Sequence, residues 1–543
     1  MAGTAPNVTG PRAAVEASAA RPPTSNAARP VVGTRAGLVA GERVDGVAVF
    51  RGIPYTRPPV GPLRFASPRP PRPWRGVREA VRPAPACWQS PLPNRPSPRS
   101  GEGALHANVW TPDTRGSRPV LVYVHGGGWA TGSGSLPTYD ATRLACRGDL
   151  VVVTFDYRLG VFGFGLHESL ADHETGEFAN WGLQDQRALL SWVHENAAAF
   201  GGDPGNVTLC GTSAGAASVW QLACLPQTRG LIRRIVPISP SHALAPATSL
   251  TREDARTVHE TLARSLGTTV PGLRDVPANS LGDAWHRLFA GPPDSRIVGS
   301  GRWYRGPVVD GRTMPAHAHD LPTVDLPVMS VHTRTEGSFY TGPASPQPAP
   351  APNGPHSLRR AVLDVLRLVS PAADTDLADT CVGAYREVAS RAGLREDPRS
   401  LWTEIWGDLM FRHHTVRFAE RHARLGTTPW YAMEFAHPAR PPHFGTPHEA
   451  TSPFLFGTHR RPPFASVFGD GPVERLLSDL LVDAVAAFAR TSCPRTPALA
   501  HWPPFTPHGP SLLVLGGTST ADVVVPDYPQ LRIWDLVGRV PRS

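Results

Sequence analysis

The sequence predicts an α/β fold in which a mostly parallel, twisted central sheet is flanked by helices and carries large insertions. Three observations lead there. Apolar strand-like runs recur at 119–125, 150–156, 206–210, 232–238, 327–332 and 429–435, and continuous apolar runs mark strands buried on both faces. Helical patterns lie between them, notably at 183–200 and 475–491, and strands alternating with helices build a mainly parallel sheet. The stretch Val207-Thr-Leu-Cys-Gly211-Thr212-Ser213-Ala214-Gly215 runs from strand through a sharp turn into a small-residue helix start. The 543 residues show no internal repeat and no clean linker, so one domain over 30–543 is more economical than two.

Taken in chain order, residues 1–29 are rich in Ala, Pro, Thr and Arg and lack an apolar core segment. They predict a disordered tail rather than a secretory signal. Proline-rich stretches at 58–98 and 341–356 predict loops, because proline removes a donor from helix and sheet alike. Pro119-Val-Leu-Val-Tyr-Val-His125 predicts a central strand and ends in His125-Gly126-Gly127-Gly128-Trp129. Three adjacent glycines expose bare backbone N–H donors, which stabilise the anion formed when a carbonyl is attacked. The same pattern forms the oxyanion loop of lipases and esterases.

Ninety residues on, Gly211-Thr212-Ser213-Ala214-Gly215 has the form Gly-x-Ser-x-Gly. A serine hydroxyl is a weak nucleophile and must be presented and activated. A strained strand-to-helix elbow presents it, with glycines on both sides to let the backbone turn. The following helix aims its N–H groups at the same point. A Gly-rich surface turn is the alternative for either motif alone, but two matched halves in order, each after a strand, point to acyl chemistry at Ser213.

Composition narrows the rest. The formal charge is +9, and all 54 basic residues are arginine. Without lysine there is no Schiff base, no pyridoxal phosphate anchor, no Walker lysine and no Ser-x-x-Lys nucleophile. Arginine is spread along the chain, which reads as codon bias in a G- and C-rich genome rather than a nucleic-acid footprint. The six cysteines form no Cys-x-x-Cys, so no zinc or redox pair is expected, and their scatter fits a reducing, cytoplasmic site. His167-Glu168 and His194-Glu195 begin a His-Glu-x-x-His pattern that Ala171 and Ala198 end, and His413-His414 lacks ligand spacing. No metal or cofactor is expected. No run reaches 18 apolar residues, so no membrane span or membrane partner is expected.

The chain resembles the type-B carboxylesterase and cholinesterase family of α/β-hydrolases over about residues 31–515. The resemblance opens with Phe50-Arg-Gly-Ile-Pro-Tyr-Thr-Arg-Pro-Pro-Val-Gly-Pro-Leu-Arg-Phe65. It continues through Asn108-Val-Trp-Thr-Pro112, the glycine loop, Asp156-Tyr-Arg-Leu-Gly160, Asn180-Trp-Gly-Leu-Gln-Asp-Gln186, Phe200-Gly-Gly-Asp-Pro204, the elbow and Trp502-Pro503. It implies an α/β-hydrolase fold and a serine hydrolase of carboxylic esters. The family takes its acid from Asp-Glu-Gly after a strand, which here is Thr335-Glu336-Gly337. Its histidine lies in Gly-x-x-His before Pro-Phe-x-Phe-Gly, which here is Gly445-Thr-Pro-His448 before Pro453-Phe-Leu-Phe-Gly457. The resemblance thus implies a triad of Ser213, Glu336 and His448 and an oxyanion hole from Gly127, Gly128 and Ala214. A Glu-Gly at a strand's carboxyl end is also where an α/β sheet places its site.

Departures from the family matter. Thr212 stands where the family has Glu before the serine, which weakens any case for a choline-like cation. Cys87 matches the first cysteine of a family disulfide whose partner position is Ala104, so that bridge cannot form. Ser239 sits where the family has Gln-Ser-Gly, but Ile238 and Pro240 flank it, and no supporting role is expected for it. The family's ion pairs are retained as Arg64 with Glu102 and Arg158 with Asp185, and are expected to be structural.

The expected partner is a small-molecule ester, with no nucleic acid; the oligomeric state is not readable. An acyltransferase or lactone-forming enzyme of secondary metabolism would use the same acyl-enzyme. A non-catalytic adhesion protein on this fold typically loses a triad residue, and this chain keeps all three. Insertions at 66–100, 241–320 and 338–425 are expected to form the lid and pocket.

Overall fold

The structure is a computed structural model that describes residues 29–91, 98–240, 251–290, 306–316, 320–321, 323–342 and 351–537. The expected N-terminal tail lies outside the described residues except for Arg29, which is paired with Glu79. An eleven-stranded sheet organises the chain. Its strands are β1 (Glu42–Val44), β2 (Val47–Pro54), β3 (His106–Thr111), β4 (Arg118–Val124), β5 (Val151–Phe155), β6 (Gly202–Thr212), β7 (Arg234–Ile238), β8 (Val328–Thr333), β9 (Trp430–Phe435), β10 (Leu512–Leu515) and β11 (Ala521–Val524). Their spatial order is β11-β10-β9-β8-β7-β6-β4-β5-β3-β2-β1. The seven strands from β5 to β10 pair in parallel, while both margins are antiparallel.

All six predicted strands fall in this parallel centre. Val120 to Val124 are buried without exception, because helices cover both faces of the sheet and leave neither to water. Among the helices are α1 (Thr142–Gly148), α2 (Trp181–Asn196), α3 (Ala214–Cys224), α4 (Arg252–Ser265), α5 (Ala278–Ala290), α6 (Pro355–Val369), α7 (Thr375–Arg391), α8 (Pro398–Gly407), α9 (His413–Leu425), α10 (Thr451–Phe456), α11 (Pro472–Thr491) and α12 (Arg532–Val537). The predicted helices at 183–200 and 475–491 are α2, prolonged by a 3-10 turn to Phe200, and α11. Helix α11 starts with Pro472, and the Glu474 carboxylate accepts the Gly471 N–H at 2.7 Å, which satisfies an otherwise orphaned donor.

The proline-rich stretches are less uniform than expected. Strands Val77–Glu79 and Ala86–Cys87 lie within 58–98, the first pairing with Gly37–Ala40 in a small second sheet. Within 341–356, one helix ends at Thr341 and α6 begins at Pro355, where proline's missing N–H would have no partner anyway. Residues 343–350 of that stretch lie outside the described residues.

Candidate active site

The site lies where strands β6, β7, β8 and β9 end. Strand β6 stops at Thr212, and α3 begins at Ala214. Between them Ser213 adopts φ +60° and ψ −126°, a strained backbone for a residue with a Cβ. Two contacts hold it there: its N–H donates to the Ile238 carbonyl at 2.9 Å and its carbonyl accepts from Ala217 N–H at 3.0 Å. The flanking glycines are required by close approach. A Cβ on Gly215 would lie 2.1 Å from the Val124 carbonyl oxygen, and one on Gly211 would lie 2.8 Å from that same atom.

The glycine loop leaves β4 beside this elbow. Gly127 has φ +110° and Gly128 φ +61°, values that favour glycine. The Gly127 carbonyl is held by three donors, Ala130 N–H (3.1 Å), Thr131 N–H (3.0 Å) and the Thr131 hydroxyl (3.1 Å). In a trans peptide the N–H points opposite to the C=O of the same unit. The Gly128 N–H is therefore turned away from the Thr131 turn. The Ala214 N–H, the first of α3, has no intrahelical acceptor. Trp129 ties the loop to α3 by donating its indole N–H to Ser218 Oγ at 3.0 Å.

Glu336 follows β8 and is buried. Its carboxylate accepts from Thr333 N–H (2.7 Å) and Ser239 Oγ (2.6 Å) at Oε1 and stands 2.6 Å from His448 Nδ1 at Oε2. Burial alone would raise its pKa, but the charge and hydrogen bond of His448, with the bonds from Ser239 and Thr333, outweigh that and lower it. Three partners can hold a buried carboxylate ionised where an unpartnered one would take up a proton. His448 Nε2 is buried and makes no hydrogen bond among the described residues. The ring of Phe411 lies flat on the imidazole, 4.0 Å between centroids at 26°. An imidazole fixed at one nitrogen by a carboxylate and free at the other is poised to move a proton.

Hydrogen bonds join the elbow to the His448 segment. The Tyr123 phenol donates to Thr212 Oγ1 (2.9 Å), and Ser452, at the start of α10, lies 3.0 Å from Thr212 Oγ1 and 3.1 Å from the Tyr123 oxygen. Thr212 therefore belongs to a buried, uncharged hydroxyl cluster one residue from Ser213. The Thr212–Ile238 register of β6 and β7 sets Ser239 beside Ser213, and Ser239 carries the contact on to Glu336.

That contact corrects the reading of Ser239, for which the flanking Ile238 and Pro240 predicted no supporting role. Its N–H is taken by the Val331 carbonyl at 2.7 Å with φ +47°, which leaves the hydroxyl free to meet the acid. Phe411 had no signal in the sequence: it sits in a π-turn, Asp408–Arg412, between α8 and α9. The expected ion pairs are present. Arg64 meets Glu102 in two 2.5 Å bonds and Arg158 meets Asp185 in two 2.8 Å bonds, and their remaining side-chain bonds go to the backbone carbonyls of Leu273, Val276, Ala66 and Trp181. Cys87 is a free, buried thiol 3.6 Å from the Ala104 carbonyl. His414 packs with its Nε2 at 3.1 Å from the Leu409 carbonyl, and His413 pairs with Asp535.

A strained serine elbow, a glycine loop beside it and a buried acid–imidazole pair on one α/β sheet define the class of serine hydrolases. The family profile described as "Carboxylesterase family" matches residues 28–525, and the chain belongs to that family. It is a carboxylic ester hydrolase. It is 34% identical over 524 residues to the phenmedipham hydrolase of Pseudarthrobacter oxydans, covering 93% of this chain and 99% of that protein. It is 32% identical to the para-nitrobenzyl esterase of Bacillus subtilis, covering 91% and 96%. A solved Geobacillus stearothermophilus carboxylesterase superposes with a TM-score of 0.76 at 31% identity, covering 93% of this chain and 99% of that one. The fold is thus that of the α/β-hydrolases. Among the described residues no helix is long and apolar enough to cross a membrane.

Proposed function

We propose that Ser213, His448 and Glu336 are a catalytic triad that cleaves small, neutral carboxylic esters through an acyl-enzyme. The observation that carries this reading is the 2.6 Å contact between His448 Nδ1 and Glu336 with His448 Nε2 left unpaired. Ser213 Oγ attacks the ester carbonyl carbon as its proton passes to His448 Nε2. The carbonyl oxygen becomes an oxyanion that accepts from the N–H groups of Gly127, Gly128 and Ala214. Collapse breaks the C–O bond to the alcohol, which leaves with the proton from His448. Water then attacks the acyl-enzyme, its proton passing to His448 and on to Ser213 Oγ as the acid departs.

The uncharged Tyr123, Thr212 and Ser452 cluster beside the nucleophile favours neutral substrates over cations. The free thiols of Cys87, Cys146, Cys210, Cys381 and Cys493 and the bacterial relatives support a bacterial, cytoplasmic enzyme. The test is Ser213→Ala assayed on p-nitrophenyl esters of graded chain length, beside fluorophosphonate labelling of the unaltered protein. The variant is expected to fold and lose nearly all turnover, with the probe on Ser213 alone. Stoichiometric label elsewhere overturns the assignment.

A further inference from the structure

Residues 526–537 lie beyond the stretch that matches the family. They fold back onto the helices that follow Glu336. Leu531, Ile533, Trp534 and Val537 are buried in a hydrophobic cluster with residues of α6, α7 and α8. Two polar side chains of the segment reach further. Gln530 donates to Asp408 Oδ2 at 3.0 Å, both residues being buried. Tyr528 lays its ring against the Arg412 guanidinium, 5.4 Å to the centroid, with its phenol 3.4 Å from His332 Nε2 and 3.5 Å from Glu434.

Asp408 and Arg412 are the two ends of the π-turn. Arg412 donates to the other Asp408 oxygen and to the Arg334 carbonyl, two residues before Glu336. Arg334 in turn donates to Glu434 at 2.8 Å. Between them on the same turn, Phe411 covers His448. The packing here allows little slack: a Cβ on Gly337 would lie 1.9 Å from the Thr403 carbonyl oxygen, and one on Gly407 would lie 2.8 Å from Gly337 N. A shift of the π-turn would thus be felt at Glu336 and at His448 together. π-turns inside helices recur at functional sites, and side chains joined in one buried hydrogen-bond network are energetically coupled to one another.

We infer that Tyr528 and Gln530 are positioning residues that fix the Glu336–His448 pair through Asp408, Arg412 and the π-turn carrying Phe411. This rests on the triad proposed above. The segment does not touch substrate; it sets the orientation of the imidazole that must face Ser213. Misplacing a catalytic group by about 1 Å can lower turnover on the order of 100-fold, so the effect falls on kcat rather than on KM.

The test compares Gln530→Leu, Tyr528→Ala, Tyr528→Phe and Ile533→Ala in the full chain. Ile533 belongs to the same segment and is buried in the same apolar cluster, but its side chain has no polar atom with which to join the network of Asp408 and Arg412. Gln530→Leu and Tyr528→Ala are expected to lower kcat at least about fivefold, with KM unchanged. The downfield proton resonance of the His448–Glu336 hydrogen bond is expected to move. Tyr528→Phe keeps the ring over Arg412 and recovers most of the loss. Ile533→Ala lowers Tm without lowering kcat. If folded Gln530→Leu and Tyr528→Ala keep full kcat, or if Ile533→Ala loses as much kcat at the same Tm, the inference is overturned. Activity surviving in Ser213→Ala sinks the triad instead, whatever the segment variants do.

Discussion

Ser239 Oγ donates to Glu336 Oε1 at 2.6 Å, while the other carboxylate oxygen holds His448 Nδ1 at the same distance. The acid is thus anchored from β7 and serves the histidine from the opposite side. Removing the anchor and removing the charge should have different consequences. Glu336→Gln leaves the imidazole facing an amide and is expected to lower kcat by roughly 10⁴-fold, as loss of the acid does in comparable triads. Ser239→Ala removes one of three partners and keeps the charge, so a smaller loss in kcat, about tenfold, is expected, equal to about one hydrogen bond of 1–2 kcal/mol. Steady-state kinetics on a p-nitrophenyl ester decides the order; equal losses would mean that Ser239 holds the acid's ionisation and not only its position.

The glycine loop gives a sharper contrast. A Cβ on Gly127 would lie 2.2 Å from the Thr131 carbonyl oxygen, whereas a Cβ on Gly128 would meet nothing within 4 Å. Both have positive φ, so either alanine is strained, but only Gly127→Ala must displace the turn that aims the loop. Gly127→Ala is expected to lose roughly 10²–10³ in kcat, the effect of one lost oxyanion donor, and Gly128→Ala markedly less. The reverse order would show that the loop's aim does not depend on the Thr131 turn.

The central strands, the elbow and the glycine loop were legible in the sequence because each is a local pattern. Continuous apolar runs mark β4 to β9, and glycine spacing marks the two turns. The antiparallel margins were not, since β1 and β11 are short and largely exposed and carry no continuous apolar run. The pairing of Glu336 with His448 spans 112 residues, and only the family frame singled out both. Ser239 shows the limit of reading flanks: its role comes from the register of β6 against β7, which places it beside Ser213, and not from Ile238 or Pro240. Phe411 and Arg412 act through a π-turn whose local sequence, Asp408-Leu-Met-Phe-Arg412, carries no mark of its partners.

Asp156 should give the enzyme a pH-dependent stability. Burial pushes its carboxyl from an ordinary 3.8 to about 7, against bonds from Ser133 and the Gly134 N–H, and its second oxygen has no partner among the described residues. A raised acid pKa means that the folded state binds the proton more tightly than the unfolded one. Its contribution is therefore favourable at low pH and is lost as pH rises from about 4 through about 7. Asp156→Asn replaces the carboxyl by a neutral group of the same shape. The stability gain of the variant over the unaltered protein, followed through Tm, is expected to be small near pH 4 and largest at pH 8, with a ceiling of roughly 4 kcal/mol. A gain that does not change with pH would mean that Asp156 stays ionised or is reached by solvent.

Substrate charge is the property that the hydroxyl cluster should control. Thr212 is buried one residue from Ser213 and bonded to Tyr123 and Ser452, so no anion stands there to attract a quaternary ammonium, and the net charge of +9 disfavours cations at long range. The enzyme should therefore turn over a neutral ester faster than the choline ester of the same shape. Thr212→Glu would place a carboxylate where Tyr123 and Ser452 already offer two hydroxyl donors, which eases its burial. In a folded variant this is expected to raise kcat/KM for the choline ester relative to its neutral isostere. Low ionic strength suits the measurement, because the long-range part is screened within about 8–10 Å at ordinary salt. If the unaltered enzyme already prefers the choline ester, attraction by aromatic faces must outweigh charge, and the neutral cluster does not set the preference.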